Sequence, residues 1–284
     1  MTADASCDQC IKGSIHADQP LGKEEPLYGL NTYIVGNRAN PRATIVMYSD
    51  VFGLPFPNNR LMVDAYAKGG KYLVYLPDFF EGDPVKVQLA DIVIPVDEKK
   101  ESTLAKFTGI LANLPAFLMW RRRHTVPHTD KVCMEFLEKL RRAPYGTQKI
   151  GIVGLCWAGK YALRAARESN KIDIDGVKIA LVDAAVGLHP SNLVLPEDVE
   201  NLIAPVSFGW GEQDTRVKLE LKRKIEEIHK KGKYAGSTVP KVEHKIYKPG
   251  RHGFAVGGNP DDPLERACLE DSEKQVLDWF GRWL

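Results

Sequence analysis

The chain has 284 residues, 44% of them hydrophobic, and a formal net charge of +2 at pH 7, enough to fill one large α/β domain or two small ones and too balanced to select a polyanion or an anionic membrane surface by charge. No apolar run approaches the ~20 residues that cross a bilayer, and the polar N-terminus, with Asp4 and Asp8, lacks the apolar core of a secretion signal. Five scattered cysteines describe no disulfide framework, so a cytoplasmic protein is expected.

Cys7-Asp8-Gln9-Cys10 has redox or metal-site spacing, but only His16 stands near it and no second pair completes a zinc set. Residues 1–30 read as an N-terminal extension packing on the body, and 31–284 as one domain. Segments 27–35 and 44–48 are expected to begin a sheet as an antiparallel pair. Short apolar runs of strand length recur at 44–48, 72–76, 149–155, 178–182 and 205–208, a texture that points to a parallel sheet covered on both faces. Segment 242–247 alternates apolar and polar residues, as a strand near an edge does. Helical stretches at 58–68, 130–142, 158–169, 217–231 and 263–280 lie between these runs, and the alternation predicts a doubly wound, mostly parallel α/β sheet. The excursion 86–127 carries the charged run 97–101, a helix-like stretch 103–123 interrupted at Pro115, and Pro127. A cap and an extra helix are both open for it, with Phe117, Met119 and Trp120 lining a pocket or filling core. Arg121-Arg122-Arg123 reads as a solvated helix end.

Gly154-Leu155-Cys156-Trp157-Ala158-Gly159 follows the apolar run 150–153 and has the form of a nucleophile elbow with cysteine in the serine position. Such a strand-to-helix turn strains the nucleophile's backbone, so its neighbours must be small, and the helix N-terminus beside the thiol favours the thiolate. A small buried core residue is the competing reading of Cys156.

In a sheet of this kind the nucleophile is followed by an acid and then a histidine, each at a strand end. After 205–208 comes a glycine-rich turn with Glu212 and Asp214, where Asp214 also suits a helix N-cap. After 242–247 comes Gly250-Arg251-His252-Gly253-Phe254. His189 is the competing histidine, while His16, His124, His128, His229 and His244 read as surface residues. An oxyanion would be held by the N–H of Trp157 and by that of Val51, in the loop after 44–48. Asp50 lies beside Val51, and Phe52, Arg251 and Phe254 are expected to touch substrate.

These blocks, together with Pro77-Asp78-Phe79-Phe80-Glu81-Gly82-Asp83, make the chain resemble the dienelactone hydrolase family, its fungal members most closely. The resemblance implies an α/β-hydrolase fold, a triad of Cys156, His252 and Asp214, and cleavage of a small carboxylic ester or lactone through a thioester without cofactor or metal. It implies a thiol-gating acid at Asp50, where the family generally has glutamate. Bacterial members hold a substrate carboxylate with an arginine four residues after the triad histidine; that position here is Val256, so a carboxylated lactone is not expected. A small-molecule substrate, no nucleic acid, no membrane, and a monomer or homodimer are expected. Two other classes stay open: a catalytically silent scaffold that binds a small ligand or partner, and a redox-sensing thiol with Cys7 and Cys10 as resolving partners.

Overall fold

The computed structural model describes residues 19–86, 115–143, 148–231 and 241–284. Cys7, Cys10, His16 and most of the excursion 86–127 lie outside the described residues. Eight strands form one sheet in the order β1 (Lys23–Leu27), β2 (Leu30–Gly36), β4 (Tyr72–Pro77), β3 (Ala43–Tyr48), β5 (Ile150–Leu155), β8 (Ala184–Leu188), β9 (Val206–Gly211) and β10 (Val242–Tyr247). The β1–β2 and β2–β4 pairs are antiparallel, and every pairing from β4 to β10 is parallel. Every residue of β3, β5, β8 and β9 is buried, which is why these strands read as unbroken apolar runs.

The antiparallel start differs from the expected one. Tyr28 and Gly29, both at positive φ, turn β1 directly into β2, so the hairpin recruits residues before 27 and β3 is a parallel core strand. The expected strand at 178–182 is also displaced. Asp175-Gly176, again both at positive φ, closes a small hairpin of β6 (Ile172–Ile174) and β7 (Val177–Ile179). The core strand is β8, whose Ala-Ala-Val-Gly-Leu run is built mostly of small residues and carries a weak apolar signal.

Among the described residues six α-helices accompany the sheet: α1 (Pro57–Ala67), α2 (115–123), α3 (Val126–Arg142), α4 (Gly159–Ala165), α5 (Leu219–Lys231) and α6 (Pro263–Trp283). Two glycines of β5 show that both faces of the sheet are covered. A Cβ on Gly151 would fall 2.7 Å from Phe280 and Leu284 at the end of α6, whereas one on Gly154 would fall 2.7 Å from Ala162 of α4. Residues three apart on a strand point to opposite faces, so β5 is sandwiched between α4 and α6. Burying a ring such as Phe280, fully inside, contributes roughly 1.5–3 kcal/mol. Among the described residues no helix is long and apolar enough to cross a membrane.

Candidate active site

The parallel strands β3, β5, β8, β9 and β10 all end on one edge of the sheet, where loops of a doubly wound fold converge. That edge collects Asp50 after β3, Cys156 after β5, His189 after β8, Asp214 after β9 and His252 after β10.

Cys156 has φ +47°, a left-handed conformation that costs a non-glycine residue about 1–3 kcal/mol. It opens a single 3₁₀ turn, Cys156–Ala158, that runs straight into α4. The turn is possible because its neighbours are small. A Cβ on Gly154 would lie 2.4 Å from the Ala158 carbonyl oxygen, and one on Gly159 would lie 2.5 Å from Pro190. Gly154→Ala should therefore destabilise the fold by about 1–3 kcal/mol. The readout is a lower urea midpoint, and an unchanged midpoint would show that the elbow has slack.

His252 Nε2 lies 3.1 Å from Cys156 Sγ, and His252 Nδ1 lies 2.8 Å from Asp214 Oδ2. The other Asp214 oxygen accepts the backbone N–H groups of Arg216 and Val217, each at 2.8 Å, and so braces the turn after β9; α5 begins only at Leu219, so Asp214 is not its N-cap. Burial works against charge on His252, but the Cys156 sulfur and the Asp214 carboxylate outweigh it and lift its pKa to about 10. Burial likewise opposes ionisation of Asp214, yet its hydrogen bond to His252 and that histidine's charge hold its carboxyl below the ordinary range.

Asp50 is buried. Its Oδ1 accepts from Asn59 Nδ2 at 3.0 Å and from the Phe52 N–H at 3.1 Å, while Oδ2 has no hydrogen-bond partner among the described residues. Burial raises its pKa from 3.8 to about 6. The folded state thus prefers the protonated form, a preference complete below about pH 4 and lost as pH rises through about 6. Asp50→Asn can keep both contacts and never ionises. Relative to wild type it should gain about 3 kcal/mol in stability between pH 4 and pH 7. Urea denaturation of both proteins across that range checks this, and a difference flat with pH would refute it.

Val51 and Trp157 are buried at the loop after β3 and at the elbow. Trp157 packs edge-on against Trp120 of α2 with ring centroids 5.3 Å apart. Trp120 in turn donates its Nε1–H to the Asp83 carbonyl at 2.7 Å and meets Phe80 and Phe117. Helix α2 therefore packs on the elbow through Trp120, whereas Met119 is exposed. Phe52 packs on Phe56, and Phe254 on Tyr247 and His189. Arg251 forms an ion pair with Glu265. Val256 is buried, and its carbonyl accepts from Asn58 Nδ2 at 2.8 Å.

Several histidines expected at the surface are not there. His124 is buried against Phe80 and Trp120 and hydrogen-bonds Asp83. His229 and His244 are partly buried beside Phe208, and burial lowers the pKa of each. Helical or alternating context was a poor guide because each ring fills a gap between apolar neighbours. Three polar residues at the site gave no advance signal. Asn58 and Asn59 open α1 and brace the loops, and Ser191 Oγ lies 3.7 Å from Cys156 Sγ while its N–H donates to the Cys156 carbonyl at 2.9 Å.

The model of the dienelactone hydrolase family matches residues 30–284. The chain belongs to the dienelactone hydrolase family. Among curated relatives it is 28% identical to "Hydrolase pyvD" of Aspergillus violaceofuscus, over 97% of this chain and 96% of that one. It is 26% identical to "Dienlactone hydrolase 1" of Gibberella moniliformis, over 97% and 93% of the two chains. The crystal structure of a dienelactone hydrolase from Anabaena variabilis superimposes with a TM-score of 0.58 at 16% identity, covering 95% of this chain and 100% of that one. The architecture is thus the α/β-hydrolase fold of this family, and the protein is a hydrolase.

Proposed function

We propose that this dienelactone hydrolase family member cleaves a small, uncharged carboxylic ester or lactone with Cys156 as nucleophile, His252 as general base and acid, and Asp214 as the group that orients His252. The observation that carries the reading is the unbroken contact chain from Cys156 Sγ through both nitrogens of His252 to Asp214, at 3.1 and 2.8 Å. The proton of the Cys156 sulfur is held on His252 Nε2, which the raised pKa of that ring favours, and the sulfur attacks the ester carbonyl carbon. The tetrahedral oxyanion is held by the backbone N–H groups of Trp157 and Val51. When the C–O bond breaks, the imidazolium returns the proton to the leaving alkoxide and a thioester remains on Cys156. Water, deprotonated by the same imidazole, then attacks the thioester and releases the acid and the free thiol.

Asp50 serves in this reading as the thiol-gating acid, since a carboxyl with a pKa near 6 exchanges a proton close to neutrality. An uncharged substrate is favoured because Val256 offers no cation and the Arg251 guanidinium is already paired with Glu265. Phe52 and Phe254 supply apolar surface. Hydrolysis of p-nitrophenyl acetate by wild type and by Cys156→Ala tests the assignment, and undiminished turnover by the variant would overturn it.

A further inference from the structure

His189 follows β8 directly at φ +40°, is fully buried, and neither of its ring nitrogens has a hydrogen-bond partner among the described residues. An unsatisfied polar atom in the interior costs about 1–3 kcal/mol, and the ester-cleaving cycle gives this ring no task. It stands edge-on to His252, ring centroids 5.2 Å apart. One ligating atom each from Cys156, His189 and His252 all lie within 4.8 Å of one another.

We propose that Cys156, His189 and His252 form a binding site for a thiophilic divalent cation such as Zn²⁺, whose occupancy blocks the nucleophile reversibly. The binding half of this proposal stands on the three side chains; the blocking half rests on the hydrolase reading given above.

One sulfur and two imidazole nitrogens are the donors that Zn²⁺ takes in tetrahedral sites. With Zn–S near 2.3 Å and Zn–N near 2.0–2.1 Å, such an ion holds its ligand atoms about 3.5 Å apart. The present spacings, from 3.1 Å for Cys156 Sγ to His252 Nε2 up to the 4.8 Å limit, reach that value by small side-chain rotations. Asp214 on Nδ1 of His252 completes a carboxylate–histidine–metal arrangement, which fixes the tautomer so that Nε2 presents its lone pair. On binding, the one proton shared by Cys156 Sγ and His252 Nε2 leaves to solvent, and the electron pairs of the sulfur and of that nitrogen form the metal–ligand bonds. No oxidation or reduction occurs. A fourth coordination position stays open for water.

The test uses the full chain with Cys7→Ser and Cys10→Ser, so that the N-terminal pair does not contribute. Zn²⁺ binding is measured by equilibrium dialysis, and Co²⁺ is used as an optical probe of sulfur ligation. One ion per chain is expected, with a sulfur-to-cobalt charge-transfer band that disappears in Cys156→Ser. His189→Phe, which keeps the ring volume, should weaken Zn²⁺ binding by at least the roughly 10–100-fold that losing an outer-shell partner costs. Its metal-free p-nitrophenyl acetate turnover should stay near wild type. His189→Gln serves as a second variant should the phenyl ring disturb folding. Undiminished Zn²⁺ affinity in both His189 variants, or a cobalt spectrum without the sulfur band, would overturn the site. Metal binding as expected in a wild-type protein that hydrolyses no ester would uphold the site and sink the hydrolase reading instead.

Discussion

Cys156→Ala should lower kcat/KM for p-nitrophenyl acetate by about four orders of magnitude or more, to what the oxyanion donors and binding alone sustain. The size follows from the chemistry: no covalent intermediate can form on a methyl group, and His252 loses the proton it would take. Folding should be unaffected in first approximation, because alanine is smaller and the left-handed backbone at this position, φ +47°, is already borne by the surrounding glycines. Cys156→Ser should fall between the two, since a hydroxyl gives up its proton far less readily than a thiol. The elbow would then present the right geometry with a weaker nucleophile. Stopped-flow release of p-nitrophenol would show a burst in wild type and none in the alanine variant. A burst that persists in Cys156→Ala would move the acyl group to another residue, with Ser191, 3.7 Å away, the first to examine.

Much of this arrangement was legible in the chain because it is local. The elbow is a run of consecutive residues whose small side chains are demanded by close approach, and the distances at Gly154 and Gly159 bear that out. Chain order then placed Asp214 and His252 at later strand ends, and the loops after β9 and β10 bring both within hydrogen-bond reach of one another. What escaped is what depends on spatial rather than sequential neighbours. His189 competes with His252 in the sequence, but the lack of a partner for its ring nitrogens among the described residues follows from β8 lying between β5 and β9, an order that no local pattern encodes. The hairpin at Asp175-Gly176 captured part of the run expected as a core strand, although that dipeptide is itself a turn signal. Asn58 and Asn59 look like solvent-facing residues at a helix start, yet both are buried because the loops after β3 and β10 need donors there.

Asp214→Asn should cost about three to four orders of magnitude in kcat/KM while leaving stability near wild type, a pairing that separates orientation from folding. Asp214 Oδ1 accepts two backbone N–H groups and Oδ2 faces His252 Nδ1. An asparagine must keep its oxygen toward Arg216 and Val217, because its amide NH₂ cannot face two N–H donors. The NH₂ then points at His252 and donates to Nδ1. A neutral imidazole that accepts at Nδ1 carries its hydrogen on Nε2, the nitrogen 3.1 Å from Cys156 Sγ. That nitrogen has no lone pair left for the thiol proton, so the base is present, in place and in the wrong tautomer. The substitution also removes the negative charge that helps lift the pKa of His252 to about 10, so the imidazolium that pairs with the attacking sulfur loses its stabilising partner. Raising pH cannot restore the rate through His252, since an imidazolium that loses its Nδ1 hydrogen to this amide keeps the one on Nε2. It can help only through direct ionisation of the thiol. The kcat/KM of Asp214→Asn should therefore climb with hydroxide concentration at alkaline pH while wild type levels off. A variant that follows the wild-type profile at every pH would show that Asp214 holds the turn at Arg216 and Val217 and does no more.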